Sequence, residues 1–149
     1  MGQVSHEQAD MLLKLFDLRR EARLRQARDW FIRNFHPQSL ADRGSLTPEQ
    51  DATVRMVTSY WDMVAGFVRR GLVEEEMFFE NTGEFWIVWE RLQPIAGEVR
   101  EMFKDPHIWE NMEKVSQRYE TWRERRAPGS LAAARERMQQ MRAAQASQK

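Results

Sequence analysis

His107 and Glu110 stand three residues apart, so on a helix an imidazole and a carboxylate could face one metal ion. Two ligands do not make a site. The other histidines, His6 and His36, lie in separate segments, and no H-E-x-x-H or E-x-x-H occurs. The favoured reading is a partly exposed histidine at a helix start, and no metal or other cofactor is expected. Glu74, Glu75, Glu76, Glu80 and Glu84 put five carboxylates into eleven residues without a base. They could form a cation site or receive a basic partner, but the Gly-centred spacing of a calcium loop is missing. A solvated helix start beside Arg69 and Arg70 fits better.

Other chemistries are excluded by composition. The 149 residues contain no Cys, which removes disulfides, thiolate nucleophiles and thiolate metal clusters. A reducing, cytoplasmic setting is expected. No Gly-rich phosphate loop is present. Basic and acidic residues balance at 23 each, so a dominant affinity for nucleic acid is not expected. Arg19, Arg20, Arg23, Arg25 and Arg28 cluster, yet Asp17, Glu21 and Asp29 interleave with them at helical pairing distances. From Leu131 onward the chain carries four basic residues and one acidic, a mild bias. No apolar run of 18 residues occurs, so no transmembrane segment is expected. The first residues lack a basic secretory n-region, and Ser5 stands one position short of a myristoylation pattern at Met1-Gly2.

The six Trp could line a ligand pocket or an interface. Trp61, Trp86 and Trp122 fall on apolar seams and are expected in the core. Trp109 lies beside its seam and is the better interface candidate.

The elements that position these groups read as helices throughout, since no window keeps the two-residue alternation of a strand. Ser5 and Gln8 form a capping box that opens a long helix over about 6–35. Its apolar stripe, Met11, Leu15 and Leu18, shifts phase near Arg23, and His36-Pro37 ends it. Residues 38–46 read as loop. Thr47-Pro48-Glu49-Gln50 opens a helix with two seams. One is Val54, Val57, Trp61, Val64 and Val68; the other is Met56, Tyr60, Met63 and Phe67. Arg69-Arg70-Gly71 closes it. A short helix covers Leu72 to Asn81. Phe85 to Phe103 forms a buried central helix, and Pro94 is expected to kink it. Asp105-Pro106 opens a helix that Ala127-Pro128-Gly129 ends. The predicted fold is all-α: a bundle of four or five helices with a kinked central helix. Residues 1–127 are its domain. Residues 128–149 are an Ala/Arg/Gln-rich tail, helical only if docked.

Four stretches together carry a family resemblance. They are the Arg28-rich end of the first helix, Val68-Arg69-Arg70-Gly71-Leu72-Val73, the helix Trp89-Glu90-Arg91-Leu92-Gln93-Pro94 with Arg100 downstream, and Pro106-His107-Ile108-Trp109-Glu110-Asn111-Met112. Over about residues 22–122 the chain resembles a bacterial all-helical domain family of unknown function. The resemblance implies an all-helical fold and brings no activity, cofactor or catalytic residue. Many relatives carry a transmembrane segment ahead of the domain, whereas the first helix here is charged and amphipathic. Read physically, Arg69 and Arg70 could neutralise Glu74 to Glu76 across the corner. Glu90 and Arg100 flank Pro94, and Arg100 could bond the carbonyl that Pro94 frees or pair with an acid on another helix.

Arg28, Arg69, Arg70, Trp89, Glu90, Pro94, Arg100, Trp109 and Glu110 are therefore candidate structural or interaction residues, and no catalytic residue is expected. Met11, Leu12, Leu15, Phe16 and Leu18, with Met138 and Met141 on the tail, form surplus apolar stripes. Such stripes point to a protein partner, most simply a second copy in a dimer. The expected function is a non-enzymatic interaction module that self-associates. One alternative is a ligand-binding protein or enzyme with a Trp-lined pocket near Trp89, using Arg55, Asp62, Arg69 or Glu90. A second is peripheral membrane association through the first helix.

Overall fold

Side-chain caps set where four of the helices begin. In the computed structural model, which describes residues 3–148, the chain forms α1 (His6–Leu18), α2 (Ala22–Asn34), α3 (Leu40–Gly44), α4 (Pro48–Arg69), α5 (Glu75–Asn81), α6 (Glu84–Phe103), α7 (Glu110–Arg126) and α8 (Ser130–Ala146). The described residues are all-helical, with eight helices where four or five were expected. Met1 and Gly2, which lipidation would require, lie outside the described residues, as does Lys149.

Ser5 and Gln8 cap α1 reciprocally, at 3.1 and 3.0 Å. Thr47 and Gln50 do the same for α4, with Pro48 in its first turn. At the far end of α4, Gly71 takes φ 76°, and the Leu72 amide reaches the Phe67 carbonyl at 3.0 Å.

The helix expected over about 6–35 is two helices. Its break lies at Arg19 to Glu21, where the Glu21 carboxylate accepts from the amides of Arg23 (3.0 Å) and Leu24 (2.9 Å) and so caps α2. Those bonds hold the Glu21 pKa below its ordinary value. No Gly or Pro marks the break, and Glu is not among the preferred caps. In the residue pattern it shows only as the change of phase. The stretch read as loop contains α3, a single turn behind Ser39 that is too short to display a period. The helix expected to open at Asp105-Pro106 starts at Glu110, because Trp109 holds φ 59° and stops a regular helix from forming before it. α6 passes through Pro94 as one continuous helix.

α4 is the central element and packs most extensively against α2 and α7, with further contact to α5 and α6. Its first seam, Val54 to Val68, is wholly buried. The second is divided. Tyr60 is buried and Phe67 packs at the core's edge, but Met56 and Met63 are exposed. Tyr60 donates its hydroxyl to the Leu15 carbonyl, and burial pushes its pKa up to about 12. Phe85 stands among Phe78, Phe79 and Tyr119 at ring distances of 5.0, 6.0 and 5.2 Å. Trp61 and Trp86 are buried in the core, and Trp122 packs against it.

The apolar stripe of α1 turns inward. Leu12 and Leu15 are buried, Met11 and Phe16 pack against the core, and Leu18 is exposed. At the other end α8 docks on the bundle. Leu131 is buried, Ala134 and Met138 pack on the core, and Met141 is exposed. Arg135 of α8 reaches Glu90 of α6 at 3.0 Å and Glu120 of α7 at 2.6 Å. A lone helix of this length is marginal in water, so these contacts help hold α8.

Candidate functional site

The charged residues singled out in the sequence serve mainly as ties between helices. Arg28 donates to Glu84 from Nε (2.9 Å) and Nη2, joining α2 to α6, and its Nη1 reaches the Arg19 carbonyl at 3.2 Å. The Glu84 bond raises the Arg28 pKa. Arg69 donates to Asn111 at 2.9 Å, and Arg70 to the Gly66 carbonyl of its own helix at 3.2 Å. The corner therefore does not neutralise itself. Glu74 instead caps α5, Glu75 pairs with Arg118 at 3.4 Å, and Glu76 accepts from the Trp122 indole at 3.4 Å. The acidic run is shared out among separate partners.

Arg100 takes the second of the roles open to it. Its Nε bonds the Ile108 carbonyl at 2.9 Å, and it pairs with Glu113 of α7 at 3.3 Å. Its guanidinium lies 5.7 Å from the ring centroid of buried Trp89. Asp62 of α4 accepts from the Met112 amide at 3.0 Å and from Asn111 at 3.4 Å, so it caps α7 from another helix. Burial raises its pKa above the ordinary value despite those bonds. Arg91, absent from the sequence candidates, closes the C-terminal end of α2 by donating to the carbonyls of Ile32 (2.8 Å) and Phe35 (3.1 Å). Burial lowers its pKa to about 10, which leaves it charged at neutral pH. Its motif is visible in the sequence, but no spacing rule connects it to carbonyls in a different helix.

His107 and Glu110 meet at 3.1 Å, with the imidazole largely exposed, and no group of three or more metal-capable side chains occurs among the described residues. The four polar residues offered for a pocket at Trp89 do not gather there: Arg55 and Asp62 border a groove that lacks Trp89, and Arg69 meets Asp62 only through Asn111. Arg55 pairs with Asp51 at 3.0 Å, Glu90 holds α8, Arg69 holds Asn111, and Asp62 caps α7.

His36 provides a pH-sensitive joint beside this network. Burial, with the charges of Arg91 and Arg142, drives its pKa from 6.5 down to about 4. Folding disfavours the protonated ring, so the stability linked to His36 is complete above pH 6.5 and is lost as pH falls toward 4. Solvent screens this half-exposed ring, so the loss should be about 1–2 kcal/mol. Urea midpoints taken across this range should fall less steeply with acid for His36→Gln than for the parent chain. Equal slopes would remove the assignment.

An apolar face between α4 and α6 remains uncovered. An open groove of about 870 Å³ runs between α4, the C-terminal end of α6 and the segment before α7. Met56, Met63, Phe103, Ile108 and Trp109 line it, with Arg55 and Asp62 at its border. Phe103 is 60% exposed, Met63 41% and Met56 38%. Two non-glycine residues beside it are left-handed, Lys104 at φ 53° and Trp109 at φ 59°. Such conformations cost about 1–3 kcal/mol each and persist where the surroundings over-determine them. The Arg100 bond to Ile108 and the Arg43 guanidinium, 5.8 Å from the Trp109 ring, supply that restraint.

A family model described as a domain of unknown function (DUF4760) matches residues 5–119, from the cap of α1 into α7. Neither a curated protein nor a solved structure matches the chain.

Proposed function

We infer the function from a fixed premise, that the chain belongs to the DUF4760 family of domains of unknown function. It is a helical interaction module that self-associates as a symmetric dimer through the groove between α4 and α6. The observation that carries this reading is the exposed cluster Met56, Met63 and Phe103 around Trp109. Apolar groups gathered in one groove favour a partner. Trp and Met are also enriched at interface centres.

The face differs from the one suggested by sequence, because Leu12 and Leu15 are consumed in the chain's own core. Two arguments favour a second copy as partner. Phe103 is an exposed part of the groove's own wall, so a two-fold axis can bring each Phe103 against the other subunit's groove. The border also carries both signs of charge, in Arg43, Arg55 and Asp62, so identical faces meet without like-charge exclusion. A cytoplasmic setting suits a chain without Cys.

Light scattering behind size exclusion tests the proposal. The parent chain should run as a dimer. Met63→Glu/Phe103→Glu, changed at exposed positions, should run as a folded monomer. A parent chain that stays monomeric at its highest soluble concentration would sink the reading, as would a double variant that still dimerises.

A further inference from the structure

We propose that a second cleft, bounded by α2, α6, α7 and α8, binds a small carboxylate with an apolar body. The cleft has a volume of about 490 Å³, within the range of small-molecule sites. Ile32, Ile87, Ala134, Met138 and the Trp86 ring supply its apolar lining. Arg123, Tyr119, Gly83 and Arg25 supply the polar part.

The balance of charge in this lining selects an anion. Arg28 is spent on Glu84, and Asp29 on Arg33 at 3.2 Å. Arg123 bonds only neutral groups, the hydroxyls of Ser130 and Tyr119, each at 3.2 Å. Arg25 has no ion pair among the described residues. Two cations therefore border the cleft without a matching carboxylate. Tyr119 is only 6% exposed, and its oxygen accepts from Arg123. Its own hydroxyl proton has no acceptor among the described residues. The hydroxyl borders the cleft, so an anion there can accept its proton.

Gly83 contributes by its size. A Cβ there would stand 2.8 Å from the Tyr119 oxygen, so a larger residue would push the phenol from its place. α6 starts at this point without a side-chain cap from Gly83 itself; the Thr82 hydroxyl accepts from the Glu84 amide at 3.4 Å. A monoanionic carboxylate fits better than a phosphate dianion, because Asp29 and Glu84 also border the cleft and repel further negative charge. Ala134 and Met138 belong to α8, which lies beyond the matched residues 5–119, so docking of the tail completes the cleft.

Decanoate, 1-decanol and decylamine, titrated separately into the full chain by calorimetry, test the proposal. Decanoate should bind one per chain, with the alcohol and the amine roughly tenfold weaker or worse. Arg123→Met and Tyr119→Phe should each weaken decanoate by roughly five- to tenfold. Arg25→Gln, on an exposed side chain, should weaken it by about two- to fivefold with an unchanged melting curve. Met63→Glu/Phe103→Glu should leave it unaltered, which separates this cleft from the dimer face. Absence of decanoate binding overturns the proposal, and so does equal affinity for decanol. Full affinity retained in both Arg25→Gln and Arg123→Met also overturns it.

Discussion

Phe85→Ala should destabilise the fold by about 3–5 kcal/mol, read as a lower urea midpoint with an unchanged slope. Phe85 is fully buried, and its ring sits within 6.4 Å of four other aromatic rings, those of Trp61, Phe78, Phe79 and Tyr119. Those rings come from α4, α5 and α7, so the space left by truncation has walls in three helices that other contacts hold in place. Collapse into it would require several helices to shift together, and most of the cavity cost should persist. Phe103→Ala provides the contrast. The same residue type at the other end of α6 is 60% exposed in the single chain, and its loss should change the stability of the monomer, measured at concentrations too low for dimers, by no more than about 0.5 kcal/mol. Equal losses at the two positions would contradict the burial assignment.

Arg28→Met should cost about 2–4 kcal/mol, most of it from the carboxylate left behind. Arg28 and Glu84 are each only 18% exposed and share two hydrogen bonds. Removing the cation strands a half-desolvated anion between α2 and α6 and releases the Arg19 carbonyl at the α1–α2 turn. Neutralising the partner as well, in Arg28→Met/Glu84→Gln, should recover more than half of the loss. Thermal melts of the parent chain, both single variants and the double variant would give the coupling between the two sites. A double variant as unstable as the sum of the singles would show that the pair acts through packing and not through charge.

These two residues illustrate different degrees of legibility. Phe85 opens an apolar segment, Phe85-Trp86-Ile87-Val88-Trp89, that reads as buried on every side. Phe85, Trp86, Val88 and Trp89 are buried, and Ile87 packs against the core. Arg28 is recognisable as a residue of interest, but Glu84, 56 positions away, is not recognisable as its partner. The same holds for Arg91 with the end of α2, and for Asp62 with the start of α7. In each case a polar side chain meets an orphan backbone group or an opposite charge from a distant segment, and local spacing carries no information on that meeting. The groove was partly visible: Trp109 stands out beside its seam. Met56 and Met63 read as a second buried seam, because periodicity reports which residues share a face and not whether the face is covered.

The all-helical class, the capping boxes at Ser5 and Thr47, the left-handed Gly71 and the first seam of α4 were settled by sequence alone. They depend on interactions within four or five residues, whose chemistry is written in neighbouring letters. Tertiary structure decided the rest: the turn at Arg19 to Glu21, the inward burial of Leu12 and Leu15, the docking of α8 by Arg135, and the exposure of Phe103. Those outcomes depend on which surfaces compete for the same core and which charges meet across helices. Such competition is resolved only when the whole chain has packed.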